Sequence, residues 1–118
     1  MNPFPFKLII KDYDSSSPLT NKEIQITNID SKKCYESKIT TSNGEVIFEI
    51  PQNERGDFFS VTLINDENYE TNPYCLAKDY KSAYLQSFDS HESKNTTNKI
   101  LTPNNYQKCP ATLYFKAK

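Results

Sequence analysis

Short segments in which apolar and polar residues alternate constrain the fold of this chain more than any other feature of its sequence. The five segments comprise residues 6–12, 23–28, 34–41, 46–50 and 58–64. A period of two is the side-chain repeat of a half-buried β-strand, so each segment is predicted to be a strand. Residues 34–41 have the weakest alternation, which is typical of a strand at a sheet edge. Five strands within 64 residues, separated by turn formers, favour an all-β sandwich or a small barrel.

The most specific turn signal in the chain is the dipeptide Asn43-Gly44. A type I′ β-hairpin turn needs positive φ at both central residues, and Asn followed by Gly suits those positions best. The strand that begins at Val46 should end at Pro51, because proline cannot donate to a ladder. A β-hairpin with a type I′ turn is therefore predicted here.

The remaining segments complete the predicted fold. Residues 1–5 contain two prolines and are predicted to be an irregular lead-in or an edge. Residues 75–88 fit both a helical and a strand period, and composition and length favour a short helix. Residues 89–99 have no large apolar side chain and are predicted to be a mobile surface loop, whereas residues 111–116 are predicted to be a closing strand. The expected fold is a single domain over residues 1–118, a mostly antiparallel, immunoglobulin-like β-sandwich of seven to eight strands.

Charge and hydropathy narrow the classes of partner. Fourteen basic and fifteen acidic residues give a formal net charge of −1, without the basic stripe that nucleic-acid binding requires. No run of about 20 apolar residues is present, so membrane insertion is not expected. The chain as written has no leader of the secretory type, which favours a cytoplasmic location or export by a leaderless route; a leader removed earlier stays open.

Residues that could carry catalysis are few. The chain has only two glycines, which excludes glycine-rich nucleotide-binding loops. His91 is the sole histidine and sits in a polar loop, where its neighbours in sequence do not amount to a catalytic triad. Cys34, Cys75 and Cys109 lack the spacing of metal ligands, and the sequence leaves open whether all three are thiols or Cys75 and Cys109 form a disulfide. No catalytic residue, cofactor or metal is predicted; a small hydrolase or thiol enzyme using His91 or a cysteine is the alternative.

The acidic turn that begins at Asp12 is a candidate calcium-binding loop. Asp12 and Asp14 open a segment rich in oxygen ligands, but an EF-hand loop would need glycine where this chain has Ser17. A polar turn after a strand is the preferred interpretation. A calcium site of another kind, joining Asp12 or Asp14 to the acids at residues 66–67, is the alternative.

Tyrosines and a single arginine are the best candidates for binding a partner. Both residue types are enriched where proteins meet, because they bury area and still make polar contacts. The predicted face combines residues 52–57, residues 69–74 and the tyrosine-rich segment that follows. Its candidate residues are Arg55, Tyr69, Tyr74, Tyr80 and Tyr84. Another protein is the expected partner, with carbohydrate as a weaker alternative.

Residues 18–26, 41–48 and 59–61 read PLTNKEIQI, TSNGEVIF and FSV. They resemble the prealbumin-like β-sandwich modules, which include transthyretin-like, carboxypeptidase-regulatory-like and collagen-adhesin B-type domains. The resemblance covers about half of the chain, carries no catalytic motif and implies a spacer, adhesion or docking role. These segments are also similar to modules appended to spikes and effectors of bacterial injection machines. The expected function is thus a non-enzymatic protein-binding or structural module, a component or cargo-associated domain of a larger assembly; a toxin antagonist or carrier is the alternative.

Overall fold

The structure, a computed structural model, describes residues 2–69, 92–93, 99–101 and 111–118, and these residues form an all-β fold. The strands are β1 (Phe4–Asp12), β2 (Glu23–Asn28), β3 (Lys38–Ile39), β4 (Glu45–Ile50), β5 (Phe59–Ile64), β6 (Glu92–Ser93), β7 (Lys99–Leu101) and β8 (Ala111–Phe115). Helix is limited, within this part of the chain, to one 3₁₀ turn at Gln52–Glu54. The predicted all-β class is confirmed. Residues 75–88, whose sequence fits both helix and strand, lie outside the described residues.

The first sheet is built around β1. Its strand order is β4-β1-β8-β6, with β4 antiparallel to β1 and β8 parallel to it. The register places Phe6 opposite Phe48 and Leu8 opposite Ala111. Strand β1 therefore joins an early strand to the last strand of the chain, as expected for a closing strand near the C-terminus.

The second sheet has the order β3-β2-β5-β7, and every pair in it is antiparallel. Ile24 lies opposite Leu63 and Ile26 opposite Val61. Strand β3 is at the edge, in agreement with its weak alternation, but only two of the predicted residues 34–41 are in it. Ile39 of this strand is 52% exposed, and pairing with β2 resumes at an isolated bridge between Cys34 and Thr27.

The inward faces of both sheets share one hydrophobic core. The rings of Phe6 and Phe59, one from each sheet, lie 5.7 Å apart between centroids, within the range of favourable aromatic pairs. The alternating residues Leu8, Ile10, Ile24, Ile26, Val46, Phe48, Ile50, Val61, Leu63 and Leu113 are all buried in it. The period of two in the sequence thus corresponds to core-facing side chains on the described strands.

The turn at residues 41–45 differs from the predicted one. The Gly44 N–H donates to the Thr41 carbonyl at 2.9 Å, and the Thr41 N–H donates to the Glu45 carbonyl at 3.0 Å. Within this turn only Gly44 has a positive φ, at 75°, so the type I′ prediction is wrong. Strands β3 and β4 also belong to different sheets, so the turn passes the chain between sheets and closes no β-hairpin.

The first strand begins earlier than predicted and includes Pro5, which lies opposite Glu49. The Ile10 N–H donates to the Gly44 carbonyl at 2.8 Å, and hydrogen-bonded pairs alternate along an antiparallel ladder. By this alternation the nitrogen of Pro5 points away from β4. Strand β8 pairs with β1 only from Leu8 onward, so proline removes no ladder bond at this position.

Residues 89–99, predicted to be a mobile surface loop, contribute to both sheets where they are described. Glu92–Ser93 pairs in parallel with β8, and Lys99 is the first residue of β7, which pairs with β5. Backbone pairing to a neighbouring strand therefore fixes these residues, although their side chains include no large apolar group. The rest of that segment lies outside the described residues.

Candidate functional site

The loop at residues 52–57 lies at the end of the fold where β4 and β2 finish and β5 begins. Pro51 ends β4 with an extended backbone, and a single 3₁₀ turn follows. The N–H groups of Glu54, Arg55 and Asp57 donate to carbonyls three residues earlier, at 3.0, 3.2 and 3.0 Å. Consecutive hydrogen bonds of this kind leave the loop with a defined backbone.

A buried carboxylate anchors this loop to the second sheet. Glu54 is 9% exposed, and its Oε1 accepts hydrogen bonds from Asn28 Nδ2 at 2.7 Å and from the Tyr35 hydroxyl at 2.8 Å. The same Asn28 nitrogen donates to Asp57 Oδ2 at 2.9 Å. We call these four residues the Glu54 cluster. Hydrogen bonds to ionised groups are the strongest that side chains make, so the cluster holds the loop at both of its acidic residues.

Charge and burial in the Glu54 cluster keep Tyr35 protonated. Burial raises the pKa of the Tyr35 hydroxyl far above its ordinary value, and the hydrogen bond to Glu54 and the negative charges of Glu54 and Asp57 raise it further. The Lys33 ammonium balances part of the negative charge, 3.6 Å from Glu54 Oε2 and 4.5 Å from the centre of the Tyr35 ring. Tyr35 is therefore a hydrogen-bond donor, and both carboxylates are occupied as acceptors.

Arg55 points away from the Glu54 cluster and has a different environment. Its guanidinium carbon lies 5.1 Å from the centre of the Phe4 ring, in the geometry of a cation–π contact. Its Nε is buried and has no hydrogen-bond acceptor among the described residues. The arginine is half-buried and forms no ion pair in the part of the chain that the structure describes.

The opposite end of the fold carries a second polar cluster. The Tyr69 hydroxyl donates to Asp12 Oδ1 at 2.7 Å, and Lys22 Nζ contacts Asp66 Oδ2 at 2.8 Å. Lys22 Nζ also lies 5.2 Å from the centre of the Tyr69 ring. We call these four residues the Asp12 cluster. It ties the end of β1 to the segment that follows β5.

Hydrogen bonds also determine the charge states in the Asp12 cluster. Burial, and then the hydrogen bond to Asp12, raise the pKa of Tyr69 to about 12. The backbone N–H of Ser15 and the Tyr69 hydroxyl lower the pKa of Asp12. Burial alone would raise the pKa of Asp66, but the Lys22 hydrogen bond and two backbone N–H groups lower it overall. Asp12 and Asp66 are thus ionised and their oxygens accept protein donors.

The alternative of a calcium site placed Asp12 near the acids at residues 66–67, and Asp12 and Asp66 do lie at the same end of the fold. Their oxygens, however, accept from Lys22, Tyr69 and backbone N–H groups. No group of three or more potential metal ligands occurs among the described residues. The oxygen ligands that a calcium ion needs are already engaged.

The two candidate binding residues that the structure describes, Arg55 and Tyr69, are not neighbours. Arg55 contacts Phe4 at the start of β1, whereas Tyr69 contacts Asp12 at its end. The nine residues of β1 span roughly 26 Å at the usual rise of a strand. Arg55 and Tyr69 thus lie at opposite ends of β1. Whether either contacts a partner stays a prediction.

Several predicted residues cannot be compared with the structure. The candidates that lie outside the described residues are Tyr74, Tyr80, Tyr84, His91, Cys75 and Cys109. Cys34 is disulfide-bonded, so it is not the free thiol that a cysteine nucleophile requires.

The sequence reasoning missed the Glu54 cluster, although a signal for it was present. Ile24, Ile26 and Asn28 share one face of β2, and a polar residue at a core-facing position is buried only when its hydrogen bonds are satisfied. Asn28 is 0% exposed. An asparagine at the inward end of an alternating strand could therefore have indicated a buried acceptor nearby.

Within the described residues, no helix has the length and apolar character needed to cross a membrane. No known protein family and no curated protein matches the chain.

Proposed function

We propose that this chain is a non-enzymatic binding module whose partner is another protein and whose docking element is the loop at residues 52–57. The observation that carries this proposal is Arg55. It presents a guanidinium that is stacked on Phe4 and makes no hydrogen bond within the described residues. A partner carboxylate is the group that such an arginine would bind.

The fixed position of the loop supports this role. The Glu54 cluster and three backbone hydrogen bonds order the loop before any partner arrives. An ordered loop loses little conformational entropy on binding, and stacking on an aromatic ring limits the rotamers of Arg55. The planar guanidinium matches a carboxylate in two parallel hydrogen bonds, which a lysine ammonium does not reproduce.

The chemistry of the described residues also supports a non-enzymatic role. Glu54 and Asp57, the two acids of the loop, accept hydrogen bonds from Asn28 and serve to hold the loop. Cys34 is in a disulfide. No observation favours a toxin antagonist over other protein-binding roles.

The fold we propose is a prealbumin-like sandwich of seven to eight strands, acting as one domain of a larger assembly. Its support is the division of the strands from Phe4–Asp12 to Phe59–Ile64 between two sheets that bury one shared core. The buried positions of the segments that carry the resemblance include Leu19, Ile24, Phe48 and Val61. Such a scaffold suits a docking role, because it presents loops at its ends.

Photo-crosslinking from defined positions tests the docking loop. A benzoylphenylalanine placed at the exposed Asn53, beside Arg55, should capture one partner protein in cells that produce this chain. The same probe at Glu67, exposed near the Asp12 cluster at the opposite end, is the positional control and should capture it far less. Arg55→Gln should reduce capture from Asn53 about tenfold, since it removes a charge-assisted pair.

Two results would contradict the proposal. One is equal capture of the same protein from Asn53 and Glu67, which would place the interface elsewhere. The other is unchanged capture after Arg55→Gln in a variant whose thermal unfolding matches that of the parent. Arg55→Lys, which keeps the charge, separates electrostatic attraction from bidentate recognition.

A further inference from the structure

One edge of β4 is a second surface of interest, and Arg55 is not part of it. Strand β4 is the first in the order β4-β1-β8-β6, so within the described residues only one of its sides is paired with a strand. The Ile10 N–H bonds to the Gly44 carbonyl, and the register continues from that pair along the ladder. Hydrogen bonding to β1 therefore falls on Val46, Phe48 and Ile50.

The residues between them direct their backbone groups to the open side. These are Glu45, Ile47 and Glu49. Glu45 is already engaged, because its carbonyl accepts from the Thr41 N–H at 3.0 Å and its N–H donates to Thr41 Oγ1 at 3.2 Å. The N–H of Ile47 and both backbone groups of Glu49 have no hydrogen-bond partner among the described residues. Ile47 and Glu49 are thus the two residues at which another strand could form backbone hydrogen bonds with this edge.

Lys38 occupies one hydrogen-bonding group of this edge. Lys38 Nζ, from β3 of the other sheet, donates to the Ile47 carbonyl at 2.9 Å and lies 5.7 Å from the centre of the Phe48 ring. Lysine is a common protection of sheet edges against unwanted pairing. Lys38 is exposed, so its ammonium can turn to water and release the carbonyl. The protection is therefore reversible.

We propose that the β4 edge binds an extended segment of another protein by strand addition. That segment carries a basic residue and, two positions later, an apolar residue. In an antiparallel arrangement two residues of that segment would make four backbone hydrogen bonds, two with Ile47 and two with Glu49. The residue opposite the exposed carboxylate of Glu49 would be basic. The residue opposite the half-buried Ile47 would be apolar, because cross-strand neighbours of these kinds attract.

Charge argues against a second copy of this chain as the occupant. In the antiparallel pairing of two β4 strands that uses all the open groups, each Glu49 lies opposite Ile47 of the other copy and not opposite a basic residue of the added strand. Lys38 Nζ, which bonds the Ile47 carbonyl, has to leave this edge before the strands pair. The two Glu49 carboxylates would be diagonal neighbours and repel. The register centred on Ile47 is worse, because it places Glu45 opposite Glu49 and Glu45 has no open backbone group.

Titration of the ¹⁵N-labelled full chain with synthetic peptides tests this proposal. The probe is an acetylated eight-residue peptide of threonines carrying one lysine and, two residues later, one valine. The amide signals of Ile47 and Glu49 should shift most. A peptide with glutamate in place of its lysine should bind about threefold more weakly, and N-methylation of its valine should weaken binding about fivefold by removing the donor to the Ile47 carbonyl.

Variants of the chain sharpen the test. Lys38→Ala should bind the lysine peptide two- to fivefold more tightly, since the Ile47 carbonyl is then open, whereas Lys32→Ala, an exposed lysine in the turn after β2, should bind it as the parent does. Glu49→Lys should reverse the preference and favour the glutamate peptide. All three substitutions are at exposed side chains, so folding is retained.

Three results would overturn the proposal. The first is no shift at Ile47 and Glu49 with any peptide, even for Lys38→Ala. The second is equal binding of the lysine and glutamate peptides. The third is a shift of these amides with protein concentration alone, which would assign the edge to a second copy. Because Arg55 is not part of this edge, each result is independent of photo-crosslinking from Asn53.

Discussion

Gly44 approaches β1 so closely that a methyl group at this position should destabilise the protein by about 3 kcal/mol. A Cβ on Gly44 would lie 2.4 Å from the carbonyl oxygen of Ile10, and the residue has a φ of 75°. The positive φ accounts for about 1–2 kcal/mol in a residue that has a side chain. The Ile10 carbonyl also accepts from the Leu19 N–H at 2.9 Å. Moving it weakens that bond and the one from Ile10 to Gly44, at about 1 kcal/mol each.

Urea unfolding followed by circular dichroism would measure this effect for Gly44→Ala. The matched control is Gly56→Ala, because a Cβ on the only other glycine has nothing within 4 Å. That variant should be neutral or up to about 1 kcal/mol more stable, since alanine restricts the unfolded chain. Gly44→Asn separates the two causes, because asparagine tolerates positive φ but keeps the contact with Ile10. A Gly44→Ala variant within 1 kcal/mol of the parent would refute the close-packing argument.

Three further expectations concern the polar clusters and the disulfide. Tyr35→Phe should lower the free energy of unfolding by about 2 kcal/mol in urea titrations, because it removes a hydrogen bond to the buried Glu54 carboxylate. The pKa of Asp66 is lowered by folding, so its contribution is complete above the unfolded pKa near 3.8 and is lost as pH falls through the folded value. Thermal unfolding scanned from pH 6 to pH 2 should therefore fall less steeply for Asp66→Asn, and an unchanged slope would argue against the Lys22 contact. Cys34→Ser should lower stability by about 2–5 kcal/mol under non-reducing conditions, because it removes a disulfide that restricts the unfolded chain; a reducing agent should then have little effect on the variant.

Strands β1 and β4 were predictable because their burial follows the period of two, whereas β5 is buried at five consecutive residues. Strand β2 begins and ends where its alternation does, and Phe6, Leu8 and Ile10 are all 0% exposed. The Asn43-Gly44 turn was located correctly but its geometry was not, since local sequence preference cannot indicate that the strands on either side enter different sheets. The close contact between Gly44 and Ile10 is tertiary, and it depends on residues 34 positions apart in the chain.

The candidate site was predictable only at Arg55. Its residue type and its loop could be identified from the sequence. The burial of Glu54 in the same loop could not, because Glu54 is bonded to Asn28 and Tyr35, which precede β3 in the chain, whereas Glu54 follows it. The sequence predicts that Tyr69 and Arg55 share one face because both lie on loops, where binding residues often occur. Which end of a strand a loop occupies depends on strand direction, and that is known only once the pairing of β1, β2 and β5 is known.

The parallel pairing of β1 with β8 has a consequence for how this protein reaches its native state. Leu8 and Ala111 are neighbours in the sheet although about 100 residues separate them in the chain. Contacts between distant residues require the entropy of closing a long loop before they contribute, and proteins dominated by such contacts fold in milliseconds to seconds. During synthesis, the side of β1 that β8 covers stays unpaired until about 100 further residues have been made. A strand that is made before its neighbours is thus completed after most of them.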